Sequence, residues 1–146
     1  MAPSSSFRHD VAEWVLGLPV AAAFGFVFDE LADGRSVTRL AWRPWHSHTP
    51  GAFQASPIAA LADFTGASAA MTLLPVGDVA ATLDYTVKFL AEARGEELIA
   101  RGKVLRPGLT ITVASVDVHA VSASTETLCA AALVTTRNVA TNRQPA

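Results

Sequence analysis

Cysteine is almost missing from this chain. The lone Cys129 rules out an internal disulfide and any zinc site built from several cysteines, and it points to a reducing, cytoplasmic location. Charge is scarce as well. Asp, Glu, Lys and Arg make up 16% of the 146 residues and leave a net charge of −2, against roughly a quarter in an average domain. With no basic stripe and no motif that reads bases, the pattern excludes nucleic acid as a partner. So thin a cover of charge fits a surface partly buried between copies of an oligomer. A membrane span is lacking too. Residues 14–28 carry no charge, but the run is short and is interrupted by Gly17, Pro19 and Gly25. The alanines at 21–23 imitate an export cleavage site, yet Arg8, Asp10 and Glu13 upstream are not the positive start such a signal needs. What remains is one domain, long enough to bury a core.

Scarcity also marks the stretch that organises the chain. Between Pro44 and Gly77 the only Asp, Glu, Lys or Arg is Asp63. The pattern predicts a helix over residues 56–74, with Ser56 as N-cap and Pro57 at its first turn. It is apolar on all sides, so it belongs in the middle of a domain. A carboxylate there costs several kcal/mol unless it is paired, hydrogen-bonded or protonated. Its helical neighbours Ser56, Ala59, Ala60, Gly66, Ala67 and Ala70 are small, while Ile58, Leu61, Phe64 and Met71 carry the bulk. Two readings follow: a structural acid bonded to nearby backbone, or a site that lets a slender ligand approach.

The rest of the chain falls into order around this helix. Residues 8–17 form a short helix with Phe7, Val11, Trp14 and Val15 on one face, stopped by Gly17 and Pro19. Strands over 23–31 and 36–43 join through a hairpin turn carrying Asp33 and Gly34. Four strands follow the helix, at 81–90, 97–105, 109–121 and 126–137. In the first of them Leu83, Tyr85, Val87 and Phe89 share a face. In the third, the apolar phase shifts from Leu109, Ile111 and Val113 to Val116, Val118 and Ala120, which predicts a bulge near Ala114 and Ser115. Residues 1–6 and 138–146 read as loose tails. A single helix covers one concave face of a six-stranded antiparallel sheet, so the fold class is α+β, and an open face or edge is left for another subunit.

Leu61, Ala62 and Asp63, with the strand from Thr82 to Leu90 and the next from Glu97 to Gly102, give the chain its resemblance. It resembles the hotdog fold and, within it, the phenylacetate-degradation (PaaI-like) acyl-CoA thioesterases, over roughly residues 20–136. That family carries His-Gly-Gly at the start of the central helix and a carboxylate nine residues after the His. Here Gln54, Ala55 and Ser56 stand in those three places. The resemblance implies hydrolysis of an acyl-CoA thioester, with coenzyme A as part of the substrate and no separate cofactor; the spacing of His46, His48 and Asp63 fits no zinc pattern, so no metal is expected. Asp63 would be nucleophile or general base. The Ala55 and Ser56 backbone, with Gln54, would hold the carbonyl, and the site would form between two chains of a homodimer or homotetramer.

Substitution of the glycines leaves backbone N–H donors in place, and a helix start favours an oxyanion. His48, fifteen residues before Asp63, is a candidate for the substrate carbonyl, with His46 behind it. Thr82 is a candidate for positioning water, or simply a good strand former. Ala67 adds to the smooth wall beside Asp63, and Arg106 could meet a coenzyme A phosphate. Two rival functions stand beside hydrolysis. One is a β-hydroxyacyl thioester dehydratase using His48 and Asp63. The other is a hotdog protein that binds acyl-CoA or a hydrophobic ligand without turnover.

Overall fold

A computed structural model describes residues 6–141. The elements are α1 (His9–Leu16), α2 (Pro19–Phe24), β1 (Val27–Ala32), β2 (Arg35–Ala41), a 3-10 turn (Pro44–His46), α3 (Ala55–Met71), β3 (Val79–Phe89), β4 (Glu97–Arg106), β5 (Ile111–Ser122) and β6 (Thr125–Val139). The six strands form one antiparallel sheet in the order β1-β2-β4-β5-β6-β3. Helix α3 packs across all six of them, least against β1. This is the hotdog arrangement that the residue pattern resembles.

Close approach of helix to sheet explains the small residues of α3. A Cβ on Gly66 would lie 2.7 Å from Val134 Cβ, and one on Gly102 of β4 would lie 3.0 Å from Thr65. Leu31, Leu40, Leu61, Leu98, Val116, Val118 and Val134 fill the space between. Burying each such side chain stabilises the fold by about 1.5–3 kcal/mol. Arg8 ties α1 to the far end of α3: its Nη1 donates to the Thr72 and Leu74 carbonyls at 2.8 and 3.0 Å, and Asp10 holds the guanidinium from the other side. Thr72 is the C-cap of α3, whose carbonyl the helix end leaves unpaired, and Leu74 follows it by two residues.

Several boundaries differ from the sequence expectation. Pro19 does not only stop α1. It occupies the first turn of α2, a six-residue helix that Gly25 ends in a left-handed conformation, so β1 begins at Val27 rather than at residue 23. Helix α3 starts one residue early, at Ala55, and ends at Met71. Gln54 is its N-cap and makes no side-chain capping bond, so Ser56 is the second helical residue and not the cap. Proline is tolerated through the first turn because the N–H it lacks has no partner there in any case.

No bulge falls at Ala114 and Ser115. Strand β5 alternates cleanly, with Thr112, Ala114, Val116, Val118 and Ala120 buried toward α3. Ile111 and Val113 are apolar residues on the opposite face, and they imitate a change of phase. The irregularities lie on its partners and at the edges instead. The register slips at Leu83 of β3, Leu105 of β4, Cys129 of β6 and Asp29 of β1. Strand β6 extends to Val139, so the expected loose tail begins later. Asn138 Nδ2 donates to the Gly108 and Leu109 carbonyls at 2.8 and 3.1 Å. The outer parts of both tails, residues 1–5 and 142–146, lie outside the described residues. Among the described residues no helix is long and apolar enough to cross a membrane.

Candidate active site

Asp63 lies in the middle of α3 on the side facing β3, one of the two edge strands. It is partly buried, and Thr82 Oγ1 donates a 2.7 Å hydrogen bond to its Oδ1. Burial pushes the carboxyl above its ordinary value of 3.8, and the Thr82 bond opposes that by favouring the charged form. Oδ1 is thus held, while Oδ2 has no protein partner among the described residues. A carboxylate fixed through one oxygen, with raised basicity, is suited to take a proton or to attack a carbonyl. Thr82, the candidate for positioning water, reaches Asp63 because the extra residue Leu83 shifts the strand so that Thr82 and Tyr85 share the face toward α3. Thr82 pairs with Thr136 and Tyr85 with Val134, and Thr136 and Val134 are both buried against α3. Leu83 therefore does not continue the alternation of Tyr85, Val87 and Phe89.

The start of α3 is a second polar point. Gln54, Ala55 and Ser56 are exposed. The Gln54 N–H is already committed to the His46 carbonyl at 2.9 Å. The N–H groups of Ala55 and Ser56 occupy the first two helical positions, where no intrahelical acceptor exists, and Pro57 has none to offer. Two adjacent donors at the positive end of a 17-residue helix remain directed outward. The loop ahead of them is pinned on several sides. Phe53 N–H donates to the Ala93 carbonyl at 2.8 Å and Gly95 N–H to the Gly51 carbonyl at 3.0 Å. Trp42 Nε1 donates to the Ala52 carbonyl at 3.2 Å.

Other candidates separate from these two points. Ala67 is on the Asp63 face, one turn on, and is half-buried. His48 is exposed and lines a surface cavity of about 190 Å³ with Trp42, Pro44, Ser47, Thr49 and Pro50, none of which is Asp63, Gln54 or Thr82. The pairing of His48 with Asp63 that a dehydratase would need is therefore not formed within the chain. His46 is fully buried and lines no open site. Arg106 follows the Leu105 irregularity and pairs with Val113, on the face turned away from α3 and hence from Asp63.

The sequence profile of the thioesterase superfamily matches residues 57–134, more than half of the chain. No curated protein matches. Among solved structures, a thioesterase family protein from Silicibacter pomeroyi is 26% identical, with a TM-score of 0.85 over 89% of this chain and 96% of its own. A thioesterase from Haemophilus influenzae, 17% identical, aligns with a TM-score of 0.80 over 98% of both chains. A phenylacetic acid degradation-related protein from Ralstonia eutropha is 20% identical, with a TM-score of 0.73 over 88% of this chain and 99% of that one. At these lower identities the likeness is one of fold.

Proposed function

Because this chain belongs to the thioesterase superfamily, we propose that it hydrolyses an acyl-CoA thioester to a free acid and coenzyme A, with Asp63 as general base or nucleophile. Family membership supports thioester hydrolysis in general, and the acyl-CoA class is the finer reading. The observation that carries the role of Asp63 is its hydrogen bond to Thr82 in an otherwise uncharged helix.

Helix geometry sets the architecture of the site. Asp63 is seven and eight residues beyond Ser56 and Ala55, so about 10–12 Å separate it from their N–H groups along the axis. A thioester carbonyl needs its oxyanion donors and its attacking group within roughly 3 Å of the reacting atoms. One chain cannot supply both to one carbonyl. In this reading two chains do: Asp63 of one works with Gln54, Ala55 and Ser56 of the other. The edge strand β3 supports such pairing, since Leu83, Tyr85, Phe89 and the following Leu90 are half-exposed along it.

In the general-base form, water attacks the carbonyl carbon while Asp63 takes its proton. The oxyanion accepts hydrogen bonds from the Ala55 and Ser56 N–H groups. The C–S bond then breaks, and the proton passes to the departing thiolate. In the nucleophilic form, the Asp63 carboxylate attacks the carbonyl carbon, the C–S bond breaks and the thiolate leaves, and water then cleaves the mixed anhydride to the free acid and the Asp63 carboxylate, giving the thiolate its proton. Single turnover in ¹⁸O-water tests the second form: ¹⁸O in the carboxylate of Asp63 requires the anhydride, cleaved at the aspartyl carbon.

The test is release of free thiol from a panel of short, medium and aromatic acyl-CoAs by wild type and Asp63→Asn. A loss of at least ~100-fold in the variant, about 2.7 kcal/mol of barrier, supports the reading. Absence of turnover on the whole panel by a folded oligomer would leave the ligand-binding alternative in its place.

A further inference from the structure

His46 closes the 3-10 turn and sits among aromatic rings. Trp45 lies edge-on at 4.1 Å between ring centroids, and Phe24 and Phe53 stack at 5.7 and 6.1 Å. The residue is 0% exposed, and neither ring nitrogen makes a hydrogen bond of full geometry among the described residues, although the Ala41 carbonyl acts on the ring in favour of its charged form. Leaving a buried polar atom unmet forfeits its hydration without return. A phenyl ring would fill this cage without that cost, so packing alone does not account for an imidazole.

The backbone of the same residue holds the site. The His46 carbonyl accepts the Gln54 N–H at 2.9 Å, and the His46 N–H donates to the Arg43 carbonyl at 2.9 Å. The cage thus fixes the point from which the first turn of α3 hangs. It is also hostile to charge. Phe24 of α2, Trp45 of the turn and Phe53 ahead of α3 are not titratable. Arg43 is the charged group that acts on the ring, and it repels a second positive charge. Burial, with Arg43, outweighs the favourable Ala41 carbonyl and holds the imidazole below its ordinary 6.5.

We infer that His46 is a positioning residue: as a neutral, stacked imidazole it fixes the Gln54 backbone, and with it the Ala55 and Ser56 N–H groups, and its protonation releases them. The role of those N–H groups rests on the thioester reading above, but the movement of Gln54 does not. Because the neutral form is favoured in the fold, the anchoring is complete above the ordinary imidazole value and is lost as pH falls through the depressed one.

The experiment follows the wild-type Gln54 amide resonance, the His46 ring resonance and tryptophan fluorescence from pH ~7.5 to ~4.5. All three should move in one transition below pH 6.5. In His46→Phe the Gln54 amide should keep its neutral-pH position and the transition should vanish. With an acyl-CoA that is turned over, the acid limb of log kcat/KM should reach a slope of two in wild type, from Asp63 and His46, and of one in His46→Phe. A Gln54 amide that stays still while the His46 ring titrates overturns the inference. So does a transition that persists unchanged in His46→Phe. If that variant does not fold, the wild-type resonances decide alone. If no thioester is turned over, the hydrolytic reading fails, and the resonances still judge His46.

Discussion

Thr82 and Asp63, nineteen residues apart, meet where β3 passes the middle of α3, and the threonine donates its hydroxyl hydrogen to Oδ1 at 2.7 Å. This bond favours the ionised carboxylate, while burial favours the neutral one. Removing the bond leaves burial unopposed. In Thr82→Val the Asp63 carboxyl should rise further, so the acid limb of kcat/KM should move to higher pH. The plateau should drop by about tenfold, ~1.4 kcal/mol, well short of the loss in Asp63→Asn. A pH–rate profile of the two variants checks this. An acid limb that does not move would separate Thr82 from the ionisation of Asp63.

The same carboxylate should weaken the fold. Its pKa is raised above the unfolded value of 3.8, so the native state binds more protons between those two values. The contribution of Asp63 to stability is therefore greatest below pH 3.8 and falls as pH rises through the raised native value. Asp63→Asn removes this loss and keeps an acceptor for Thr82. The variant should melt higher than wild type near neutrality, and the gap should close in acid. Thermal melts across pH test the sign.

Gly66 is where α3 lies against β5 and β6. A Cβ there meets Val134 Cβ and Cγ2 at 2.7 Å and Val116 Cγ2 at 3.3 Å. Gly66→Ala should cost about 1–3 kcal/mol from overpacking, reduced by up to ~1 kcal/mol of helix propensity. Val134→Ala opens the space, so the double variant should lose less than the sum of the single losses. Urea unfolding of the four proteins gives the coupling.

Cys129 is buried within β6, its Sγ donates to the Val118 carbonyl at 3.3 Å, and burial pushes the thiol up to about 11. The thiolate is the reactive form. The folded protein should therefore leave a thiol reagent unconsumed at neutral pH, and should release one equivalent of reactive thiol on unfolding. Labelling with and without denaturant measures it.

Much of this molecule could be read from residues alone, and the misses have physical causes. Asp63 was visible because charge stands out in an uncharged run, and α3 because helix-breaking residues bound it. The six strands were legible through their alternation. Helix α2 was not, because Pro19 after Gly17 reads as an end when it is also a beginning. The phase of β5 misled because Ile111 and Val113 are apolar on the face away from the helix. The meeting of Thr82 with Asp63 depends on the extra residue Leu83 in the edge strand, and no spacing rule in the chain announces that slip. His48 looked like a site residue by its distance along the sequence from Asp63, and within one chain it lines a cavity that holds none of Asp63, Gln54 and Thr82. His46 looked like its weaker double, yet its ring is interior and its backbone holds the helix start.

The loop between β3 and β4 carries no candidate catalytic group, yet it receives the Phe53 N–H and donates to Gly51. Gly95 within it adopts φ +154°, and a Cβ there would fall 2.0 Å from the Val121 carbonyl oxygen. Any other residue at 95 must push this loop off the sheet and pull on the segment that leads into α3. Position 95 is thus a remote control on the turn that bears Ala55 and Ser56. A screen for damaged activity would recover it beside the true site residues, and a redesign that leaves every polar side chain of the site intact could still disable it from there.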